Sequence, residues 1–275
     1  MGTRDGADAM VGLRALHADL EAVFAGLSDA DWQAPSGCEG WRVQDVLAHV
    51  TSNFKEIVDP TPPPDEPPPA MTAEEAMEAL VAPRKEWTPA ELLAEYERYR
   101  DGAFAALDAM QEEPMASVEA PVADLGTYQL HQLANAFCFD HYCHLHHDLL
   151  APRGPLSADG LVMDDARVAP GIEWMFIGLP QMCSPAMAPV ITEPLVIDLT
   201  GPGGGRWIIG PADADGLITV ERSDDPAGST GAATVESSAH DFVSWGTKRS
   251  DWRDACSLSG DVDYAARVLD AMNIV

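Results

Sequence analysis

The chain has 275 residues, 46% hydrophobic and 22% charged, enough for one large domain or two ordinary ones and unlike the composition of a disordered polymer. Sixteen Lys and Arg stand against 45 Asp and Glu, a formal charge of −29. A field of that sign repels phosphate backbones and anionic headgroups, so no nucleic acid and no membrane surface is expected as a partner.

The opening MGTRDGADAM has no apolar stretch behind a basic end, and no window of about 18 uncharged apolar residues follows. A soluble cytoplasmic protein is expected. Cys38, Cys138, Cys143, Cys183 and Cys256 are odd in number and never spaced CxxC. That usage fits a reducing compartment better than a disulfide framework or a thiolate zinc knuckle.

From Ala9 to Leu27 the apolar positions Leu13, Leu16, Leu20, Phe24 and Leu27 recur at three and four residues, the period of an amphipathic helix. After the turn-rich SDADWQAPSGCEGW, in which Trp32 and Trp41 are expected to anchor the loop, a second helix runs from Trp41 through Val46, Leu47, Val50, Phe54 and Ile57. Seven prolines between Asp59 and Pro69 then predict an extended surface loop. Thr72 with Glu75 caps a short helix, and Thr88, Pro89 and Glu91 start a third long one carrying Leu92, Tyr96, Tyr99, Phe104, Leu107 and Met110 and ending near Gln111.

A fourth long helix is expected from about Thr127 to Leu150, stopped by Pro152 and Gly154. Four long helices make residues 1–152 a four-helix bundle. Residues 153–190 read as a helical connector centred on Glu173 to Leu179. From 191 to 275 the pattern changes to that of a small α/β domain with an antiparallel sheet. LVIDL, RWIIG and GLITV are strand-like runs separated by GPGGG and PADAD, and two helices follow around Asp241 to Trp245 and Asp261 to Met272. The fold class is therefore α+β.

Five of the eight histidines (His131, His141, His144, His146 and His147) crowd the fourth helix. At about 100° per residue, Asp140, His144 and His147 fall in a wedge of about 60°, while His131 and His146 point the other way. Asp140 and His144, at i and i+4, can converge on one cation. A third ligand must come from another helix, and His49 is the candidate, set between Leu47 and Val50 in an apolar run. Taken singly, His49 is equally readable as a hydrogen-bonded core histidine and the later cluster as a solvated helix face. Taken together, two imidazoles and a carboxylate from two helices make an open mononuclear site.

The stretch from Trp32 to Val50, W-x-x-P-S-G-C-E-G-W-R-V-Q-D-V-L-A-H-V, resembles the signature of the mycothiol-dependent maleylpyruvate isomerase family, a branch of the DinB-like metal-binding bundles. The resemblance extends to EPLVIDLTGPGGGRWIIG and SWGTKRSDWRDACSLSGDVDYAARVL, which are similar to a sterol-carrier-like second domain. It implies a divalent metal, with zinc expected, on His49, Asp140 and His144, and mycothiol as cosubstrate. The implied reaction is thiol addition to a conjugated double bond, rotation, and departure of the thiol, or a related transfer on a small electrophile. Arg249 in GTKR matches an arginine that would meet substrate carboxylates.

Two positions depart from the implied pattern. The acidic ligand is commonly Glu, one methylene longer than Asp140. An acidic residue commonly stands where this chain has His147, which is then an extra ligand or a partner supporting one. Cys143 reads as a packing residue, Cys38 in the loop before the second helix reads as structural with a place near the site mouth as the alternative, and GPGGGR reads as a hairpin turn. The alternative reading is a non-catalytic protein binding a metal or an apolar ligand on the same scaffold, and a structural metal there would show four protein ligands.

Overall fold

A computed structural model describes residues 6–62, 71–157, 160–223 and 231–274. Most of the predicted proline loop, residues 63–70, lies outside the described residues. The chain divides into two compact units, Met1–Leu161 and Val162–Val275.

In the first unit the helices are α1 (Gly6–Ala25), α2 (Asp29–Gln33), α3 (Val43–Val58), α4 (Ala73–Val81), α5 (Pro89–Ala109) and α6 (Leu133–Cys143). The predicted stripe of α1 is the buried one, since Leu13, Leu16, Leu20 and Phe24 are all in the core. Trp32 stacks on Phe24 at 5.4 Å and pins α2 to α1. Thr72 and Thr88 accept the expected backbone N–H bonds from Glu75 and Glu91, which starts α4 and α5.

Every residue of α3 from Val43 to Ser52 is buried, and so is Phe54, so this helix lies inside the bundle rather than along one flank. It packs on α5, while α1 packs on α6. Phe54 ties these layers together, its ring 5.8 Å from Tyr96, 5.6 Å from Phe104 and 5.9 Å from Phe137.

The fourth helix differs from expectation at both ends. Thr127 to Gln129 belong to a hairpin, β1 (Glu119–Val122) with β2 (Gly126–Gln129), so α6 begins only after a 3-10 turn at Leu130–Gln132. Ala123 at φ 44° and Gly126 at φ 123° reverse the chain there, and pairing with β1 outweighs the helical pattern. At the other end α6 passes into a π-helical turn, His144–Leu149, in which the Leu150 N–H donates to the Leu145 carbonyl at 3.1 Å.

The second unit holds α7 (Asp165–Met187), β3 (Leu195–Thr200), β4 (Gly205–Ala212), β5 (Ile218–Ser223), β6 (Ala233–Ser238), α8 (Ala239–Gly246), β7 (Ser257–Gly260) and α9 (Val262–Ala271). Among the described residues the sheet order is β5-β4-β3-β6-β7, antiparallel throughout except for the parallel pair β3 and β6. The predicted strand runs are β3, β4 and β5; β6 and β7 add a second half that their sequences did not announce. GPGGG is the hairpin turn expected, with Gly201 at φ 79° and Gly203 at φ 73°.

One face of the sheet carries the Asp198–Arg206 ion pair across β3 and β4, at 3.1 Å. The next residue along, Trp207, is buried on the other face and stacks on Phe176 of α7 at 4.3 Å, with Phe242 of α8 beyond. The helix expected as part of a connector thus lies within the second unit and runs through Pro170, Pro180 and Pro185. No helix among the described residues is long and apolar enough to cross a membrane.

Candidate metal centre

α3 brings His49 to the inner side of the bundle, and α6 with the π turn that continues it brings Asp140 and His144 to meet it. His49 Nε2 lies 2.7 Å from Asp140 Oδ1, and His144 Nε2 lies 3.5 Å from the same oxygen. One nitrogen from each histidine and a carboxylate oxygen lie within 4.8 Å of one another. The two imidazoles meet edge to face, with centroids 4.8 Å apart. His49 and His144 are buried, and the Asp140 side chain is 22% exposed.

Trp41 does more than anchor its loop. Its indole N–H donates to Glu78 at 2.7 Å, and its ring sits 5.3 Å from His49 and 6.3 Å from His144. An aromatic wall beside the imidazoles thus comes from the loop before α3, whose outer side lines an open pocket of about 400 Å³ with Gln33, Cys38 and Arg42.

Of the remaining sequence candidates, His147 does not join the three donors that lie within 4.8 Å of one another among the described residues. It is buried with its ring edge-on to Tyr142 at 6.1 Å. The residue that reaches His144 is Asp148, whose Oδ2 lies 2.9 Å from Nδ1. The wedge drawn around Asp140 favoured His147, whereas Asp148 meets His144 by the i, i+4 spacing of helical neighbours.

His131 bonds the Ala116 carbonyl at 2.9 Å and His146 packs on Tyr142 at 4.5 Å, both away from the site as expected. Arg249 is in the second unit, half-buried in the turn after α8, its backbone N–H donating to Ser244 at 2.9 Å. Cys38, read as structural with a place near the site mouth as the alternative, has Sγ 3.6 Å from His144 Nδ1.

The donor set fits a divalent ion. Two imidazole nitrogens and a carboxylate are the ligands of open zinc and iron(II) sites. Asp140 Oδ2 and His49 Nδ1 are buried with no hydrogen-bond partner among the described residues, so the site holds polar atoms that the protein itself leaves unsatisfied. Cys38, His144 and Asp148 also lie within 4.8 Å of one another, but Arg153 Nη1 already bonds Asp148 Oδ1 at 2.7 Å and supplies the positive charge there.

Electrostatics points the same way. Burial opposes charge on Asp140, but His49 and His144 outweigh it and hold the carboxyl well below the usual range. Burial likewise opposes charge on His144, and Cys38, Asp140 and Asp148 outweigh it, holding the imidazole well above 6.5. The pocket is built around a carboxylate that demands a positive neighbour, which in the metal-free protein is the His144 proton.

A folded-state pKa raised above the unfolded value contributes stability that is fully present below about 6.5 and is lost as pH rises through the folded value. Metal-free protein is therefore expected to lose stability from about pH 6.5 upward, a slope that His144→Ala lacks. Urea unfolding of the two proteins between pH 6 and 9 checks this; parallel curves would refute the charge assignment.

Residues 13–144 match the family described as the mycothiol maleylpyruvate isomerase N-terminal domain, a span that includes His49, Asp140 and His144. No curated protein sequence gives a significant match. The fold is similar to two crystal structures of mycothiol-dependent maleylpyruvate isomerase, one of them a histidine-to-alanine mutant. Each is 17% identical to this chain, with a TM-score of 0.57, covering 95% of this chain and 98% of the other.

Proposed function

From the match of residues 13–144 to the mycothiol maleylpyruvate isomerase N-terminal domain family, we propose that the protein is a divalent-metal-binding, mycothiol-dependent isomerase or thiol transferase. Its substrate is a small, maleylpyruvate-like electrophile, and its setting is the cytoplasm. The observation that carries the reading is the convergence of His49, Asp140 and His144 donors within 4.8 Å.

These three residues would hold the ion, with zinc the proposed one. When bound, such an ion lowers the pKa of a thiol and polarises a carbonyl. With three protein ligands, positions remain open for small molecules, as catalysis requires and a structural site does not. Asp140 supplies the one ligand charge, so a dication there keeps a net positive charge that attracts a thiolate. In a chain of formal charge −29, that local reversal is what admits an anionic substrate. Trp41 excludes water from the side of the imidazoles it covers. Arg249 is assigned to a substrate carboxylate on the family resemblance alone.

The test is to follow isomerisation of maleylpyruvate by purified protein with and without mycothiol, before and after chelation and zinc return. Turnover that needs both thiol and metal is expected. Metal-loaded protein that neither isomerises nor transfers in the presence of thiol would overturn the reading.

A further inference from the structure

His144 is gripped from two sides. Its Nε2 faces Asp140, and its Nδ1 faces Asp148 Oδ2 at 2.9 Å. Asp148 has no exposed surface, so a carboxylate is spent where only specific partners justify it. Each of its polar ends is engaged. Arg153 Nη1 donates to Oδ1 at 2.7 Å, and the Gly37 N–H donates to the backbone carbonyl at 2.7 Å. Arg153 also donates to the Gly37 carbonyl, closing a ring of contacts between the loop before α3 and the π turn.

Two backbone features frame this ring. A Cβ on Gly37 would lie 2.9 Å from Asp148 Cα and 3.0 Å from the His147 carbonyl oxygen, so any other residue would push the loop off the turn. Asp148 stands four residues after His144, the spacing that brings helical side chains together, and lies within the π turn His144–Leu149.

We propose that Asp148 is a positioning residue for His144: it accepts the Nδ1 proton, fixes the tautomer and ring plane, and leaves the Nε2 lone pair directed at His49 and Asp140. The inference rests on the metal-site reading above. A carboxylate accepting the far ring N–H raises the imidazole's strength as a ligand, and losing it typically costs about 10- to 100-fold in metal affinity. Cys38 is the competing partner for Nδ1, but at 3.6 Å its sulfur is the longer and weaker acceptor.

Full-length protein is loaded with Co²⁺, and affinity is measured by chelator competition for wild type, Asp148→Asn and Cys38→Ser. Asp148→Asn is expected to weaken binding about 10- to 100-fold and to shift the visible cobalt bands, while Cys38→Ser stays within about threefold, below the range expected for an outer partner. Unchanged affinity and spectrum in Asp148→Asn, or an equal loss in Cys38→Ser, overturns the proposal.

A measurement on the wild type removes dependence on a variant that fails to fold. In ¹⁵N-histidine spectra of the ¹¹³Cd-loaded protein, cadmium coupling to His144 Nε2 with a proton on Nδ1 is expected. Coupling to Nδ1 overturns the role of Asp148. Wild type that takes up neither ion refutes the metal site itself, whereas uptake with the wrong nitrogen or an indifferent Asp148→Asn refutes only this inference.

Discussion

Replacing His49 by alanine is expected to take the bound metal from about one ion per chain to near zero, because the two remaining ligands, from α6 and the π turn that continues it, no longer enclose the ion from opposite sides. The largest consequence is thermodynamic. A ligand that binds only the folded state at 100 times its dissociation constant adds about 2.7 kcal/mol of stability. For a unit of this size that is a rise of about 5 to 11 °C in melting temperature.

Wild type should show that rise when zinc is added, and His49→Ala should not. The variant must itself remain folded, and there is reason to expect it. His49 is buried, its Nδ1 has no hydrogen-bond partner among the described residues, and its Nε2 is held at 2.7 Å by Asp140 and at 3.3 Å by Asn53, so truncation frees one partly exposed carboxylate. Elemental analysis beside thermal melts reads both quantities. Full metal content in folded His49→Ala would mean that the ion sits elsewhere, and no zinc-dependent shift in wild type would leave the three donors a polar cluster only.

What the sequence disclosed and what it hid divide along a physical line. His49 was legible because it interrupts an apolar helical run, and the structure buries that run on all sides. Asp140 and His144 were legible because helical i, i+4 spacing is rigid. Asp148 stands at the same i, i+4 spacing from His144 but falls outside the wedge of about 60° that holds Asp140, His144 and His147, so the supporting role was assigned to His147. Cys38 and Trp41 come to the histidines through the fold of a loop, a tertiary fact with no periodic trace.

The second unit obeys the same rule. LVIDL, RWIIG and GLITV are apolar runs bounded by turns and were readable as strands. ATVESS and SLSG have little apolar character. They become β6 and β7 by pairing with β3 and with each other, in one case parallel and 38 residues apart at the first register pair, Leu195 with Ala233. EWMFIGL was readable as helical, while the prolines of α7 hid the full length of 23 residues, in which the Ser184 hydroxyl donates to the carbonyl of Pro180.

The second large effect is expected from Phe54→Ala. The side chain has no exposed surface, and it contacts residues of α5 and α6 at once, through Tyr96, Phe104, Phe137 and His141. Removing a fully buried aromatic costs about 3 to 5 kcal/mol, the transfer term plus the cavity left behind. With a urea m-value of about 1 to 3 kcal/mol/M, the midpoint for the first unit should fall by about 1 to 3 M or more. Phe54→Leu, which keeps most of the volume, should cost much less.

The loss also reaches the site. Phe54 lies five residues beyond His49 on α3, and its ring is 5.6 Å from His141, the neighbour of Asp140 on α6. The same packing that stabilises the bundle therefore sets the distance between the two ligand-bearing helices. Metal affinity should weaken in Phe54→Ala even under conditions where the variant is fully folded, and recover in Phe54→Leu. A destabilisation below about 1 kcal/mol would show that the cavity collapses and relieves most of the cost. Full destabilisation with wild-type metal affinity would instead show that the hold of α3 on α6 is set by the site itself, with the aromatic cluster supporting the bundle alone.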